Sequence, residues 1–295
     1  MFVNDIIFPD TRNNTIKKSP QEIYAAFTSD LHVGSKKFLE KNFKRFIKWL
    51  NAEIGSQKQR EIASKVKYLF IVGDTVDGIG VYPGQEELLD IVDIKEQYDR
   101  LASLLGEIRE DINIILCPGQ HDCVRVAEPQ PPLDRKIASS LYELKNIFLV
   151  SNPAWVNIGA TKDFNGFNVL MYHGASFHSF VNEIEELRFI NAHHCPSKII
   201  KYVLQKRHLA PTHSSTTYVP TYKYDPLCLH IVPDIITTGE IHKPEVAKYN
   251  NIISIQCSCW QTITPFEEKI GNEPDPCKVP ILNLKTRSIN ILDFS

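Results

Sequence analysis

Short, unbroken runs of apolar residues recur along this chain, and each leads into a turn that contains glycine, acidic or histidine residues. Runs of about four to eight apolar residues are typical of strands that are buried on both faces of a sheet. The runs lie within the segments 23–30, 66–74, 112–122, 167–174, 234–242 and 251–260. These segments are therefore predicted to be buried strands.

Several of these strands are separated by segments whose apolar residues recur at the spacing of an amphipathic helix. Phe43, Phe46 and Leu50, for example, recur in this way among lysines. The predicted helices are 36–54, 85–108 and 197–209. Strands that alternate with helices predict an α/β fold with a large, mostly parallel or mixed sheet. In such a sheet, ligands bind outside the carboxyl ends of the strands.

Length and composition predict a globular chain. A length of 295 residues suits one large or two modest domains, and because no segment resembles a linker we expect a single domain over 1–295. A hydrophobic content of 43% with 23% charged residues excludes a wholly disordered chain. The formal net charge of -2 excludes a strongly basic surface, so contact with nucleic acid would need a local basic patch or a partner protein.

We expect a cytoplasmic protein with no membrane contact, because no apolar run approaches the about 20 residues that a membrane helix needs. The N-terminus contains early acidic residues and lacks the basic region of a signal peptide. The seven cysteines are therefore predicted to be free thiols. A zinc site of Cys257, Cys259 and the cluster 193–195 is an alternative, although Cys-x-Cys differs from the usual ligand spacing.

Five of the predicted strands end in residues that can bind metal ions. In chain order, these residues are Asp30, His32, Asp74, Gln120, His121, Asp122, His173, Glu240 and His242. One histidine or aspartate at a strand end is usually a turn former or a helix cap. Five strand ends with such side chains at one edge of a sheet predict a shared site.

The chemistry expected of such a site is phosphate ester hydrolysis with two metal ions. Mixed carboxylate and imidazole ligands from separate loops suit Mn²⁺, Fe or Zn²⁺. Two such ions about 3.5–4 Å apart activate a water molecule for in-line attack at phosphorus and stabilise charge on the phosphate oxygens.

The order of these motifs resembles that of the calcineurin-like metallophosphoesterases. That family carries Asp-x-His, Gly-Asp, Gly-Asn-His-Asp, His-Gly and Gly-His-x-His, and the corresponding residues here extend from Asp30 to His242. The resemblance implies a four-layer α/β/β/α fold, in which mixed β-sheets are sandwiched by helices. It covers most of the chain.

A narrower resemblance rests on segments that are not general features of phosphoesterases. These are GVYPGQ (80–85), EPQP (128–131) and the Trp260–Gln261 pair, which resemble the small subunits of archaeal D-family DNA polymerases. The resemblance implies a 3′→5′ proofreading exonuclease that hydrolyses terminal phosphodiesters at DNA 3′ ends. It also implies the large catalytic subunit as a partner. Relatives carry an N-terminal oligonucleotide-binding barrel, which we expect to be absent from this chain.

The resemblance also implies a role for each residue at the strand ends. One divalent metal ion would be held by Asp30, His32, Asp74 and His242. The Asp74 carboxylate would bridge to a second ion, which would also be held by Gln120, His173 and Glu240. Mn²⁺ is favoured for both sites, with Mg²⁺, Zn²⁺ and Fe as alternatives. His121 would stabilise or protonate the leaving 3′ oxygen, and Asp122 would orient His121. Arg125 is a candidate for substrate binding.

Two ligand positions depart from the family pattern. Gln120 stands where the family has Asn, and Glu240 stands where it has His. Both changes affect the second metal site. A glutamine amide oxygen and a glutamate can still bind Mn²⁺ or Mg²⁺, so a retuned site is expected.

Two other functions stay open. A catalytically weakened or inactive structural subunit, which assembles with the large polymerase subunit, is the main alternative to the nuclease. A small-molecule or protein phosphatase on the same fold would not need the segments 80–85 and 128–131. The long polar loop 210–227 is predicted to be functional or flexible, because connections of this length are uncommon.

Overall fold

The computed structural model describes residues 8–265, 268 and 273–295, in which strands and helices alternate. The strands are β1 (Tyr24–Thr28), β2 (Val66–Val72), β3 (Asn113–Cys117), β4 (Ile147–Leu149), β5 (Ala154–Ile158), β6 (Phe167–Tyr172), β7 (Ile235–Thr238), β8 (Glu245–Tyr249), β9 (Ile252–Gln256), β10 (Lys278–Asn283) and β11 (Ile289–Asp293). The helices are α1 (Glu40–Leu50), α2 (Gln57–Ser64), α3 (Ile94–Gly106), α4 (Phe177–Glu183), α5 (Glu185–Phe189) and α6 (Ser197–Lys206).

The strands form two mixed sheets. In the first sheet the order is β11-β10-β1-β2-β3-β4, with β1 to β4 parallel and the β10–β11 hairpin antiparallel beside β1. In the second sheet the order is β5-β6-β7-β9-β8, with β6, β7 and β9 parallel and the outer strands antiparallel. The parallel strands of each sheet run in one direction, so their carboxyl ends lie at the same end of that sheet.

Apolar side chains pack between the facing surfaces of the two sheets. Phe27 of β1 and Phe70 of β2 stack with their ring centroids 5.0 Å apart, and both are fully buried. Met171, Ile235 and Ile255 of the second sheet belong to the same apolar cluster. Because protein interiors are close-packed, this layer fixes the strand ends of one sheet relative to those of the other.

Helices cover the outer face of each sheet. α1 buries Phe43, Phe46 and Leu50 against the first sheet, while Lys41 and Lys48 stay exposed. α6 buries its apolar stripe in the cluster over the second sheet. The predicted four-layer α/β/β/α arrangement, in which two mixed sheets are sandwiched by helices, is confirmed.

The predicted helix over 85–108 is wrong at its start. Residues Gln85–Leu88 form a separate 3₁₀ turn, and α3 begins only at Ile94. The reason is a local cap, because the Asp93 carboxylate accepts the backbone N–H groups of the first turn of α3. α3 has 13 residues.

Within the described ranges, no helix is long and apolar enough to cross a membrane.

Five strands within the described ranges were not predicted. Four of them are the outermost strands of the sheets, β4, β5, β8 and β11, and the fifth, β10, lies between β11 and β1. β10 contains Pro280, which has no N–H group to donate to a neighbouring strand, and the exposed and half-buried residues of β11 break the apolar run. β8 pairs with a neighbour on one side only. The outermost strands and β10 therefore lack the continuous apolar run that marks the predicted strands.

Replacement of Phe70 by alanine tests the packing between the sheets. We expect Phe70→Ala to lower the free energy of unfolding by about 3–5 kcal/mol, because it leaves a cavity in a close-packed layer. Phe148→Ala is the matched control, since Phe148 lies in the same sheet on β4 and is 52% exposed. Urea unfolding measures both variants, and equal losses would contradict the buried layer.

Candidate metal centre

The carboxyl ends of strands from both sheets meet at one buried position. Asp74, after β2, lies 3.2 Å from His173, after β6, measured from Oδ2 to Nε2. His242, after β7, lies 3.2 Å from Asp30, after β1, measured from Nε2 to Oδ1. The backbone N–H of Glu240 donates to Asp30 Oδ2 at 3.2 Å. The structure therefore brings these five residues from two sheets into direct contact.

The backbone at these strand ends is left-handed. The φ angles of Asp30, His32, Asp74, Glu240 and His242 are 50°, 49°, 47°, 73° and 57°. Each such residue costs about 1–2 kcal/mol in backbone strain, and strain of this kind concentrates at functional sites. Two backbone hydrogen bonds hold part of the turn, from Asp30 to the Gly73 carbonyl and from His32 to the Asp74 carbonyl.

His173 lies where three acidic side chains converge. Its Nδ1 lies 2.7 Å from the Val72 carbonyl oxygen, so Nδ1–H donates there and Nε2 is the nitrogen that faces the carboxylates. Nε2 lies 3.2 Å from Asp74, 3.1 Å from Glu240 and 3.8 Å from Asp30. Burial alone would lower the pKa of His173, but Asp74 and Asp30 raise it well above its usual value. A positive charge is therefore favoured at this point.

The carboxylates of Asp74 and Glu240 stay ionised. Burial opposes ionisation, but His173, His121 and His32 hold the pKa of Asp74 far below its usual range. Burial likewise opposes the ionisation of Glu240, and its hydrogen bonds with His173 and His178 lower its pKa strongly. Buried carboxylates that stay ionised need positive charge beside them.

His32 is oriented by a chain of hydrogen bonds. Its Nδ1 lies 3.1 Å from Asp77 Oδ1, and Asp77 Oδ2 accepts from Gln85 Nε2 at 3.0 Å. Gln85 belongs to the segment 80–85 and is fully buried. Burial would lower the pKa of His32, but Asp77 raises it. Among the described residues the buried His32 Nε2 has no hydrogen-bond partner, so this nitrogen is a candidate ligand for a cation.

His121 is oriented by Asp77 rather than by Asp122. Its Nδ1 lies 2.7 Å from the Asp77 carbonyl oxygen, and its ring lies edge to face with that of His32 at 4.7 Å. Within the described part of the chain, no hydrogen bond joins Asp122 to the His121 imidazole. This is a correction to the expected role of Asp122, whose carboxylate faces the other side of the loop.

Asp122 instead fastens the loop after β3. Its carboxylate accepts the hydroxyl groups of Thr75 and Tyr98 and the backbone N–H groups of Thr75 and Gly119. It is 3% exposed, and burial together with Asp74 raises its pKa. Asp122 therefore ties the turns after β2 and β3 together.

Gln120 contacts Glu240 across the centre. Gln120 Nε2 donates to Glu240 Oε2 at 2.8 Å, while the buried Gln120 Oε1 has no hydrogen-bond partner in the part of the chain that the structure describes. An amide oxygen in this position is an available ligand for a cation. The two residues that depart from the family pattern thus lie side by side.

The side chains present fit divalent cations. Two groups of possible ligands share Asp30: one adds His32 and His242, and the other adds Asp74 and His173. A third group combines His32 with Asp77 and His121, where hydrogen bonds already join the members. The shared member of the first two groups is Asp30, although the resemblance implied Asp74 as the bridge. Asp74 nevertheless acts on both His173 and His32.

Close backbone approach makes two glycines necessary. A Cβ atom on Gly119 would lie 2.2 Å from Asp74 Oδ1, and one on Gly73 would lie 2.2 Å from His173 Nδ1. Such distances are not tolerated between non-bonded atoms, so larger residues would displace the ligands. Gly73 also has a φ of 81°.

The segment 128–131 supports the centre from behind. Gln130 Nε2 donates to the Gly119 carbonyl at 3.0 Å, and Gln130 Oε1 accepts from Asn152 at 2.7 Å. Asn152 Oδ1 accepts the backbone N–H of His173 at 2.9 Å. Gln130 and Asn152 thus connect the loop after β3 to the strand end of β6. The sequence marked Gln130 through the EPQP segment, but nothing marked Asn152.

Glu128 joins this support to the long loop 210–227. Its carboxylate accepts from the Tyr172 hydroxyl at 3.2 Å, and its backbone exchanges hydrogen bonds with Thr217 and Val219. Glu128 is 1% exposed, and burial raises its pKa to about 7. The long loop is therefore held beside the centre.

Arg125 braces the same region. Its guanidinium donates to the Pro129 carbonyl through Nε and Nη2 at 3.1 and 2.6 Å. The side chain is exposed. A substrate contact by Arg125 stays a prediction.

The cysteines do not belong to the groups of possible metal ligands among the described residues. All seven are free, and among the described residues no group of three possible metal ligands includes a cysteine. His193, a member of the alternative zinc cluster, lies 3.0 Å from His178 instead. The structure therefore does not assemble that alternative zinc site within the described ranges.

Comparison with known proteins connects the chain to DNA polymerase subunits. The family model for the B subunits of DNA polymerases alpha and epsilon matches residues 25–248. The DNA polymerase II small subunit of Archaeoglobus fulgidus is 41% identical over 281 residues, which cover 95% of this chain and 55% of that protein. The corresponding subunit of Methanocaldococcus jannaschii is 40% identical over 284 residues, 96% of this chain and 46% of that protein. The chain thus spans about half the length of these relatives.

Solved structures share much less sequence with the chain. An archaeal phosphodiesterase is 12% identical with a TM-score of 0.45, and the match covers 92% of this chain and 99% of that one. A single-residue variant of Vps29 from Entamoeba histolytica is 14% identical with a TM-score of 0.40, over 91% and 90% of the two chains.

Replacement of Glu128 by glutamine tests the buried carboxyl group. Its folded pKa of about 7 exceeds the ordinary 4.5, so protonation stabilises the fold. This stabilisation is complete below the ordinary pKa and is lost as the pH rises through about 7. We expect Glu128→Gln to match the parent chain at acidic pH and to exceed its stability above neutrality, by at most about 3 kcal/mol. Urea unfolding across this pH range measures the difference, and a pH-independent difference would contradict the burial.

Proposed function

Because the chain belongs to the family of DNA polymerase alpha and epsilon B subunits, we propose that it is the phosphoesterase part of an archaeal D-family DNA polymerase small subunit. Its reaction is metal-dependent 3′→5′ hydrolysis of terminal phosphodiesters at DNA 3′ ends. Its partner is the large catalytic subunit of the polymerase. The activity and the partner are proposals for this chain, which spans about half of its curated relatives.

The observation that carries the proposal is the buried set of acceptor atoms at the strand ends. Among the described residues, the buried His32 Nε2 and Gln120 Oε1 have no hydrogen-bond partner, and the buried His173 Nε2 faces the carboxylates of Asp74 and Glu240 at 3.2 and 3.1 Å. The carboxylates of Asp30 and Asp74 lie among them. Buried acceptors without donors are costly, and cations would satisfy them together.

The residues divide into two sets that would hold divalent cations. Asp30, His32 and His242 would hold one ion, with Asp74 between the sets. Gln120, His173 and Glu240 would hold the other. Carboxylate, amide and imidazole donors together suit Mn²⁺. When bound, such ions supply Lewis acidity and a water of lowered pKa for attack at phosphorus.

His121 is the residue of this chain that exchanges a proton with the substrate. Because its Nδ1–H is held by the Asp77 carbonyl, Nε2 is the nitrogen left for that exchange. Nε2–H donates its proton to the 3′ oxygen of the preceding nucleotide, which is the leaving group when its bond to the terminal phosphate breaks. Asp77 therefore positions both His32, through its carboxylate, and His121, through its carbonyl.

One observation favours a second function, that of a non-catalytic assembly subunit. Gln120 and Glu240 are hydrogen-bonded to each other at 2.8 Å, so the second set of ligands is partly satisfied without a metal ion. A weakly held second ion would reduce hydrolysis while leaving the fold intact. The two functions differ in turnover.

Removal of the Asp74 carboxylate tests the nuclease. The purified chain is incubated with a 5′-labelled primer–template that carries a 3′ mismatch, with Mn²⁺, with Mg²⁺ and with a chelator. We expect Mn²⁺-dependent shortening from the 3′ end, and a loss of about a hundredfold or more in Asp74→Ala, because a ligand shared by the two sets is lost.

The matched control is Asp163→Ala, since Asp163 lies in an exposed loop away from the strand ends. Unchanged activity in Asp74→Ala would contradict the metal-dependent mechanism. Absence of shortening by the parent chain, both alone and with the large subunit, would support the assembly function instead.

A further inference from the structure

The two carboxylate oxygens of Glu240 have different surroundings. Oε2 lies 3.1 Å from His173 Nε2 and accepts from Gln120, and both of these are candidate ligands. Oε1 lies 3.2 Å from His178 Nε2, on the opposite side. His178 is the second residue of α4, five positions after His173. One oxygen therefore faces the metal centre while the other faces a histidine that no motif includes.

A second histidine fixes the orientation of His178. His178 Nδ1 lies 3.0 Å from His193 Nε2, with the ring centroids 5.1 Å apart. Burial, and then the neighbouring His178, lower the pKa of His193 to about 4, so His193 is neutral near pH 7. The Glu240 carboxylate is an acceptor, so His178 Nε2 is the donor in their contact, and the Nδ1 of a neutral His178 then accepts from His193 Nε2–H. His178 then carries its own proton on Nε2, where it points at Glu240.

Glutamate at position 240 needs such a partner for two reasons. Its carboxylate adds negative charge beside Asp30, which already accepts a hydrogen bond from the Glu240 backbone. It also adds negative charge near Asp74, because both carboxylates contact His173 Nε2. It also has one more rotatable bond than histidine, so its carboxylate is not positioned by its own length. A hydrogen bond to Oε1 offsets part of the charge and selects one orientation.

We propose that His178 is a positioning residue for the second metal site, donating from Nε2 to Glu240 Oε1 so that Oε2 is presented to the ion. This inference rests on the proposed function. The pair Glu240–His178 takes the position that a single imidazole holds in the family pattern, and His193 holds the pair in register. The changed ligand is therefore accompanied by its own orienting contact.

The experiment is a titration of the full chain with Mn²⁺ in the absence of DNA. Binding is monitored by calorimetry and by the electron paramagnetic resonance signal of free Mn²⁺. We expect His178→Ala to weaken one of two sites by about 10–100-fold and to leave the other unchanged. His178→Gln keeps an N–H donor and is expected to restore most of the lost affinity. His230→Ala is the matched control, since His230 is an exposed histidine whose backbone carbonyl, retained in the variant, accepts from Arg207.

The cycle with Glu240→Gln isolates the contact from general damage to the fold. In that background the charge on the partner is gone, so His178→Ala is expected to cost less than about threefold, as non-additive neighbours do. Circular dichroism melts of each variant check that α4 remains folded.

The possible outcomes separate the two claims. Two sites of unchanged affinity in His178→Ala would overturn the role of His178 while supporting the metal centre. Equal losses in His178→Ala and His178→Gln, or the same loss in the Glu240→Gln background, would also overturn it. Absence of Mn²⁺ binding by the parent chain would instead contradict the proposed function itself.

Discussion

The repulsion among buried carboxylates at the edge where two sheets meet is the constraint on which the rest of the centre depends. Asp30 and Asp74 are at most 4% exposed, and both lie within 4 Å of one histidine nitrogen. Charges so placed are stable only with positive charge beside them. The inter-sheet layer around Phe27 and Phe70 prevents the strand ends from moving apart to relieve the repulsion. Rigid packing therefore holds these candidate ligands together despite their charge.

The supports behind the ligands follow from the same constraint. Three histidines at the centre turn one nitrogen inward, and the other nitrogen of each faces an oxygen acceptor. For His32 the acceptor is the Asp77 carboxylate, for His121 the Asp77 carbonyl, and for His173 the Val72 carbonyl. Left-handed backbone at the strand ends aims the carboxylates at the same point. The local strain is maintained by the two sheets as a whole.

The sequence predicted the parts of this molecule that depend on local pattern. Buried central strands, amphipathic helices and the chemistry of their ends are encoded in consecutive residues, as in the run that ends at Asp74. Strand β10 was not predicted, because Pro280 interrupts its apolar run. The start of α3 was not predicted, because one side chain, that of Asp93, determines it. Contacts between distant residues were not predicted either. Asn152 reaches His173 and His178 reaches Glu240 only through the tertiary fold. The partner of His121 was misassigned for the same reason.

The two departures from the family pattern are one structural change rather than two. Gln120 donates to Glu240, and Glu240 in turn is held by His178, so the altered ligands form a connected unit. A change at one of these residues is therefore expected to alter the contacts of the other two.

The most direct test of the central claim is a crystal of the chain grown with Mn²⁺, with anomalous diffraction recorded at the manganese edge. The account predicts two anomalous peaks about 3.5–4 Å apart, one beside Asp30, His32 and His242 and the other beside His173 and Glu240. A map without a peak among these side chains would contradict it. A single peak would contradict the two-metal mechanism.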